Sequence, residues 1–482
     1  MGLLSSIKRW LDMIFKQQAE DDFDVKSVVS PEMEVILRRC ANIYAGTPPW
    51  LSADDDIRTI NFAKAVSSET ARLATLAIGI QIEGSARAEW LQQQIDAVYF
   101  HLREWVEFSC AYGTVFLKPN GDSLDLFTPK DILLVDYDNL GIKGIIFKDS
   151  YTQGDRFYTR LEYHRFVETT ENGVTTYPYY ISNRTYMSKS ADSIGDKIPM
   201  AKTKWAGMME DTPPILKASG EKLDGPMFGM LRTPQANNID IDSPLGLPMY
   251  SEAIEELKDL DVAYSRNAGE IWDSQKIVLA DDRLLMPDGQ KVTDRTPEQI
   301  RAKREQMGLP RYVKNVYGSD VKEFYSEINP QLNTETRLAG INALLSQIGY
   351  KCGYSNGYFV FNEKSGMVTA TQVESDDRRT IQLIKDVRDK LENALDGAIY
   401  ALSVYADLYG LAPVGAYEIT YDFGDIVYSR EEDRARWWQY VMQGKVPAWM
   451  YFQKFEGMSE EDAKAMVEEA TPKEDNKLFG EE

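Results

Sequence analysis

The sequence predicts a multi-domain α+β protein, because helical and β-rich stretches occupy separate blocks of the chain. Residues 144–190 are rich in Tyr, Phe and Thr, which favour strands. Residues 370–408 contain no proline and carry apolar side chains at intervals of three and four, which indicates one long helix. A chain of 482 residues is long enough for about three domains, so these blocks can belong to different units.

Composition and charge exclude several classes of protein. Apolar residues make up 43% of the chain, as in ordinary folded proteins. The net charge of −22 disfavours tight nucleic-acid binding by phosphate neutralisation, but an acidic surface can let DNA pass without sticking. The 3 cysteines are far apart and in no CxxC spacing, which favours a reducing compartment. No apolar run approaches the ~20 residues of a membrane-spanning helix.

The first part of the chain predicts helices that lead into short strands. Residues 3–16 form one amphipathic helix, which must dock on its own core, on a neighbouring subunit or on a partner. An acidic spacer follows at residues 20–22. Further helices are predicted over residues 31–44, 57–80 and 89–112, and strands over 114–118, 124–127 and 132–137. Asn120-Gly121 is typical of a hairpin turn.

The middle of the chain combines strands, loops and an acidic helix. Strands are predicted over residues 157–166 and 175–187 with a turn at Asn172-Gly173, and residues 195–234 are rich in loops. From Pro248 to Trp272 the apolar spacing predicts a helix. Its exposed side would carry Glu252, Glu255, Glu256, Asp259 and Asp261.

A small basic segment separates this helix from a second one at residues 334–348. A strand is predicted over residues 276–280 and a short helix over 297–306, so the two longer helices enter and leave one subdomain. Basic residues gather in it: Lys291, Arg295, Arg301, Lys303, Arg304, Arg311 and Lys314. They indicate either a solvated surface or a docking surface.

The last third predicts a loop, a long helix and a helical end. Residues 349–366 contain four glycines and no helical period, which predicts a loop with a short β element. The long helix at 370–408 has an apolar seam of Ile384, Val387, Leu391, Leu395, Ala398, Leu402 and Tyr405, and Gly397 gives it a place to bend. A strand at 417–423 precedes helices at 429–444, 447–455 and 459–469. Ser459 and Asp462 suit a capping box at the last of these helices.

No motif for catalysis, a nucleotide or a metal stands out. Neither His101 nor His164 has a Cys or His partner at ligand spacing, so both are interpreted as structural. Gly444-Lys445 does not continue into a phosphate-binding loop. The stretch DYDNLG at 136–141 resembles the start of a calcium loop but lacks an oxygen ligand at its fifth position. We therefore expect neither enzyme activity nor a metal or cofactor.

Five stretches in a fixed order resemble the portal proteins of tailed bacteriophages, of the siphophage type. They are YTRLEYHRF at 158–166, NNIDIDSPLGLPMYSEAIEELKDLD at 237–261, GYFVFNEKSGMVTATQVES at 357–375, YDFGDIVYSREED at 421–433 and GMSEEDA at 457–463. The stretches lie between residues 158 and 463, and the resemblance as a whole covers nearly the whole chain. The resemblance implies a multi-domain portal fold with an α/β wing, a helical stem, a small α/β clip, a long kinked helix and a helical crown.

The resemblance also implies where these pieces lie. The division is an N-terminal amphipathic segment at 1–30, the wing domain at 31–243, stem helix 1 at 244–274, the clip subdomain at 275–330, stem helix 2 at 331–348, the channel loop at 349–369, the long kinked helix at 370–408 and the crown domain at 409–482.

The function that the resemblance implies is a DNA channel at one capsid vertex of the virion. The channel would be a homo-oligomeric ring, usually of about twelve subunits, assembled in the cytoplasm of the bacterial host. Double-stranded DNA would pass through it during packaging and ejection. Its partners would be the terminase motor, head–tail connector or adaptor proteins, and the major capsid and scaffold proteins; no membrane is implied. Two alternatives are a scaffold or head–tail adaptor that binds a ring without forming the channel, and a nucleic-acid-processing enzyme.

The resemblance assigns candidate residues to each role. Those of the DNA-channel loop are Asn362, Glu363, Lys364 and Ser365; those of the stem or channel wall are Glu252, Glu255, Glu256 and Asp259; those for docking on the clip are Arg301, Lys303, Arg304 and Arg311.

Overall fold

The protein is an α+β molecule in which helices combine with several small sheets. By contact, the chain divides into two compact units, Met1–Asp422 and Phe423–Glu482. A computed structural model describes residues 15–51, 57–121, 123–139, 141–171, 174–190, 193–273, 277–281, 312–316, 325–328, 334–361, 370–424, 430–443, 445–456 and 458–470. Within these ranges, no helix is both long and apolar enough to cross a membrane.

The helices of the larger unit begin and end at recognisable local signals. They are α1 (residues 15–23), α2 (Pro31–Tyr44), α3 (Phe62–Ala74), α4 (Ala86–Val98), α5 (Leu102–Tyr112), α6 (Ile254–Asp273), α7 (Thr334–Lys351) and α8 (Ala370–Tyr409). The Ser30 hydroxyl caps α2 by accepting a hydrogen bond from the Met33 amide at 3.3 Å. Gly113 ends α5 with a φ of 83°, which a glycine adopts without strain. The helices predicted over 31–44, 89–112, 334–348 and 370–408 are confirmed, the second with a 3-10 turn at Tyr99–His101.

Two helix predictions are wrong in extent, and the predicted acidic spacer is wrong. The helix predicted over 57–80 is only α3, because Asn61 and Ala77 both take a left-handed backbone with a φ of 50°, which interrupts a helix on either side. The acidic residues 20–22 belong to α1 rather than to a spacer. The helix predicted from Pro248 begins at Ile254, after a 3-10 turn at Ser251–Ala253. The N-terminal helix predicted over 3–16 lies outside the described residues up to position 14.

The strands of the larger unit form small sheets. They are β1 (Ile78–Glu83), β2 (Thr114–Asn120), β3 (Ser123–Phe127), β4 (Ile132–Asp138), β5 (Gly141–Gln153), β6 (Arg156–Phe166), β7 (Thr169–Glu171), β8 (Val174–Thr176), β9 (Tyr179–Ser188), β10 (Asp196–Ile198), β11 (Gly229–Arg232), β12 (Ile277–Asp281), β13 (Tyr312–Val316), β14 (Tyr325–Ile328) and β15 (Glu418–Phe423). An antiparallel five-stranded sheet has the order β10-β9-β6-β5-β4, and a three-stranded sheet has the order β11-β2-β3. A third sheet, β13-β12-β14, lies between α6 and α7 in the chain.

The strand predictions hold where apolar and aromatic residues are dense. Strands predicted over 114–118, 124–127, 132–137, 157–166, 276–280 and 417–423 are confirmed, as is the hairpin at Asn120-Gly121, which joins β2 and β3. The strand predicted from residue 175 is instead divided into β8 and β9. Short strands β10 and β11 occur in the stretch predicted to be loop.

Both faces of the five-stranded sheet are covered. On one face, Phe15 and Ala19 of α1 pack against Leu133, Ile146 and Leu161. On the other face, a second cluster includes Phe116 of β2 and Phe228. The sheet is therefore buried on both sides, which explains how it can enclose the polar cluster described below.

Helix α8 is the central packing element of the larger unit. All seven residues of its predicted apolar seam are buried. A Cβ atom at Gly397 would lie 3.1 Å from the Cα of Gly229, and one at Gly229 would overlap the carbonyl oxygen of Ala394. These two glycines therefore allow β11 to lie directly against α8. The bend predicted at Gly397 stays a prediction, within a helix that is continuous from Ala370 to Tyr409.

Two buried arginines bind carbonyl groups at helix ends. Arg87 of α4 donates to the backbone oxygens of Ser403, Ala412 and Pro413, at 2.5, 2.9 and 2.7 Å, and to Asp407 at 2.5 Å. Arg388 of α8 donates to Leu73 and Ala74 at the end of α3, at 3.2 and 3.1 Å. The carbonyls of Leu73 and Ala74 belong to the last turn of α3, where intrahelical donors are missing. Arg87 instead binds the last turns of α8 to the segment that follows them. The two guanidinium groups thus join α8 to α3 and α4.

The smaller unit contains the helices α9 (Arg430–Met442), α10 (Ala448–Glu456) and α11 (Glu460–Ala470). The three helices predicted for this end of the chain are confirmed. The predicted helix start at Ser459, similar to a capping box, is confirmed, because the Ser459 hydroxyl accepts from the Asp462 amide at 3.1 Å. The same hydroxyl donates to the Asp462 carboxylate at 2.7 Å, where a full capping box would use the Ser459 amide. Aromatic rings pack α10 against α9, with Trp438 and Tyr451 at 5.2 Å between centroids.

Candidate functional site

Helices α6 and α7 form an antiparallel pair. Lys351, the last residue of α7, donates to the Glu256 carboxylate at 2.5 Å and to the Glu252 carbonyl at 3.0 Å, both at the start of α6. Gln347 donates to Glu256 at 3.2 Å. At the far ends of the two helices, β12 and β14 pair with Ile277 opposite Ile328. The chain therefore leaves along α6, forms a small sheet and returns along α7.

Only some of the acidic residues predicted for the exposed side of α6 are exposed. Glu252, Glu255 and Asp259 are exposed. Glu255 accepts from Arg39 of α2 at 2.8 Å, and this hydrogen bond lowers the pKa of its carboxyl. The predicted exposure of Glu256 is wrong, because its side chain is only 15% exposed and forms an ion pair with Lys351.

The predicted exposure of Asp261 is also wrong, because its side chain points into the protein. Its residue exposure is 3%, and its carboxylate accepts from the Trp50 indole and the Ile60 amide, each at 2.9 Å. The partners come from the segment between α2 and α3. Asp261 therefore holds that segment against α6, and it does not belong to an exposed acidic face.

Replacing Asp261 by alanine is expected to lower the free energy of unfolding by about 2 to 3 kcal/mol, because two buried donors lose their acceptor. Asp259→Ala on the exposed face of the same helix is the matched control, with an expected change within about 0.5 kcal/mol. Urea unfolding of both variants measures the difference. Equal effects would contradict the inward role of Asp261.

The segment after α7 is anchored by tyrosines. The Tyr354 hydroxyl lies 2.7 Å from that of Thr70, and Tyr358 donates to Glu69 at 2.6 Å, both on α3. The Ser355 amide donates to the Thr380 hydroxyl of α8 at 2.9 Å. The described part of the predicted channel loop, residues 352–361, is therefore fixed to α3 and α8, and it contains turns rather than the predicted β element.

Several predicted site residues lie outside the described part of the chain. These are the loop candidates Asn362, Glu363, Lys364 and Ser365 and the clip candidates Arg301, Lys303, Arg304 and Arg311. The helix predicted over 297–306 lies outside it as well. Their roles stay predictions.

Sequence reasoning missed a buried charge cluster formed by Lys118, Arg160, Glu162 and His164. The Glu162 carboxylate lies 2.6 Å from Lys118, 2.8 Å from Arg160 and 3.0 Å from His164. None of the four residues is more than 4% exposed. Arg160, Glu162 and His164 alternate along β6, so they share one face of the strand. The alternation of Arg160, Glu162 and His164 in the stretch YTRLEYHRF was the sequence signal from which this cluster could have been predicted.

Hydrogen bonding defines which ring nitrogen of His164 carries the proton. The Tyr179 hydroxyl accepts from the Met227 amide at 3.2 Å and lies 2.9 Å from Nδ1 of His164. A hydroxyl that donates to Nδ1 leaves the imidazole proton on Nε2, which then donates to Glu162. Burial lowers the pKa of His164, so the ring is neutral. This agrees with a structural histidine.

The cluster keeps Glu162 ionised. Burial alone raises the pKa of its carboxyl, but the Arg160 and Lys118 charges and the His164 hydrogen bond together hold that pKa well below 4.5. Burial lowers the pKa of the Lys118 ammonium, against the pull of Glu162. The geometry thus gives a closed ion network that joins β2 to β6 rather than an arrangement of a nucleophile and its base.

The cysteines and acidic groups add no reactive centre within the described ranges. Cys40, Cys110 and Cys352 are buried free thiols, and burial raises the pKa of Cys40 and of Cys352 to about 12. Such thiols stay protonated and are weak nucleophiles. No group of three or more His, Cys, Asp and Glu side chains in this part of the structure could hold a metal ion.

Neither a protein-family model nor a curated protein matches this chain.

Proposed function

We propose that the chain is a subunit of a ring-shaped channel, and that this channel is the portal through which a tailed bacteriophage packages and ejects its DNA. The observation that carries the proposal is the antiparallel α6–α7 pair with the β13-β12-β14 sheet inserted between its helices. The stem and clip of the portal family have this order. The wing, channel loop, kinked helix and crown would be the elements before and after them, with the boundaries that the resemblance implies.

Exposed apolar side chains near the helix pair support assembly. Tyr264 is 41% exposed on α6, Tyr350 54% on α7, and Phe361 60% in the anchored segment. Exposed apolar side chains of this size are common on surfaces that a partner covers. A neighbouring copy would cover them.

The channel would act passively. Its net charge of −22 per subunit disfavours adhesion of DNA to the wall, so a separate terminase motor would supply the force. That motor would dock on the clip, and connector proteins would join the ring to the tail. The anchored 352–361 segment would give the channel loop a fixed base, because it is hydrogen-bonded to both α3 and α8.

Mass photometry and negative-stain microscopy of the full chain test this proposal. We expect rings of many subunits with a central hole. A monomer or dimer at every concentration would refute the channel. A chain that binds an existing portal ring without forming its own would support the adaptor alternative.

A further inference from the structure

The first relevant feature is an acidic edge on α6. It consists of Glu252, Glu255 and Asp259, which are exposed. Asp259 makes no ion pair or hydrogen bond with any described residue, and the Glu252 carboxylate accepts only a long bond of 3.4 Å from Asn238. Lys258 is also exposed, one position away on the helix. The edge is therefore acidic, with Glu255 paired to Arg39 and with Asp259 free of ion pairs to the described residues.

The second feature is a basic edge on the first turns of α8. It consists of Arg378, Arg379 and Lys385, which are exposed. Arg379 lies over the Tyr350 ring at 3.8 Å and donates to the Tyr350 carbonyl at 2.8 Å. Arg378 and Lys385 have no ion-pair partner among the side chains that the structure describes. The basic edge ends at Lys385, because Asp386 and the exposed Asp389 follow it on the helix.

The exposed side of α7 is uncharged from Thr336 to Tyr350, although Glu335 just before this stretch is exposed and acidic. We call the exposed residues of that side the α7 stripe: Thr336, Ala339, Gly340, Ala343, Gln347 and Tyr350. Small residues let another helix approach closely. The stripe is thus a surface that a second helix can approach without burying a charge.

One end of each edge lies near the last turn of α7. Lys351 reaches the Glu252 carbonyl at 3.0 Å, and its neighbour Tyr350 lies under Arg379. A rotation about an axis parallel to α7 preserves height. Such a rotation can bring the acidic edge of one copy against the basic edge of the next, whereas a two-fold contact of either edge with itself would place like charges together.

We infer that the acidic edge of α6 faces the basic edge of α8 in a neighbouring copy of this chain, with the α7 stripe inside the contact, rather than lining the channel. The inference rests on the proposed ring. It replaces the channel-wall role for Glu252, Glu255 and Asp259, and it defines a head-to-tail contact that closes on itself.

Charge reversal tests the inference in the full chain. One double variant is Glu252→Lys with Asp259→Lys, and the other is Arg378→Glu with Lys385→Glu. Each should raise the concentration for half-assembly by about tenfold or more at low salt, because every contact then opposes like charges. An equimolar mixture should form rings that contain both variants, since basic and acidic subunits can alternate. Asp155→Lys with Lys189→Glu, two exposed positions in the β5–β6 turn and just after β9, is the control that should assemble normally.

The outcomes separate the inference from the proposed function. If both double variants form rings as well as the wild type does, the inference is overturned and the proposed channel is unaffected. If DNA passage changes while assembly does not, the acidic edge lines the channel wall instead. If the two variants assemble neither alone nor as a mixture, the inference is also overturned. A wild-type chain that never assembles would refute the proposed function itself.

Discussion

Replacing Glu162 by glutamine is expected to lower the free energy of unfolding by about 3 to 5 kcal/mol, one of the two largest single-residue effects we predict. The substitution keeps the shape of the side chain but removes its charge. Lys118 and Arg160, which are fully buried, then lose the carboxylate that lies 2.6 and 2.8 Å away. Asp149 stays near Arg160 at 3.5 Å, whereas Lys118 keeps the Pro119 carbonyl at 3.1 Å but has no second carboxylate partner among the described residues. Urea unfolding measures the loss.

Two further variants test whether the loss of stability comes from the unpaired buried charges. Glu168→Gln, at an exposed position just after β6, should change the free energy of unfolding by less than about 0.5 kcal/mol. Adding Lys118→Met to Glu162→Gln should recover part of the loss, because the stranded ammonium is then removed. A loss below about 1 kcal/mol for Glu162→Gln would show that water screens the cluster.

The same cluster should make the wild type sensitive to acid in two steps. Burial lowers the pKa of His164 from its ordinary 6.5, so the unfolded chain takes up a proton below that pH when the folded chain does not. Stability therefore falls as the pH drops below 6.5. The pKa of Glu162 lies well below 4.5, so a second loss begins as the pH drops below 4.5, and Glu162→Gln should lack the contribution of this residue.

Replacing Arg87 by methionine is expected to lower the free energy of unfolding by about 3 kcal/mol. Methionine fills much of the same volume but removes the hydrogen bonds from the buried guanidinium to the carbonyls of Ser403, Ala412 and Pro413. A hydrogen bond from a charged group contributes about 1.5 kcal/mol or more. Amide hydrogen exchange in the last turns of α8 should also become faster, because Arg87 joins this end of the helix to α4. Urea unfolding and hydrogen exchange measure the two effects.

Arg39→Met is the matched control for Arg87. Arg39 makes an ion pair with Glu255 at a similar distance, 2.8 Å, but both side chains are solvated, so the expected loss is below about 1 kcal/mol. Arg87→Lys should recover only part of the stability, because one ammonium cannot reach the four acceptors of the guanidinium fork. If Arg87→Met and Arg39→Met had the same small effect, burial would not be what makes Arg87 important.

Local sequence determined the elements whose signals repeat over many residues. The seam of α8 was predictable because a helix places every third or fourth side chain on one face, whatever the rest of the chain does. The hairpin at Asn120-Gly121 and the helix start at Ser459 were predictable for a similar reason, since their hydrogen bonds join residues that are close in sequence.

Tertiary structure alone decided which charged groups are buried and what they bind. Asp261 and Glu256 belong by sequence to an acidic helix face, yet Trp50 and Lys351, their partners, come from distant parts of the chain. Glu162 likewise finds Lys118 on another strand. The sequence by itself thus determined the order of helices and strands, because propensity and periodicity act over a few residues. Only folding decided which carboxylates face water, because the cost of burying a charge depends on a partner that the local sequence does not contain.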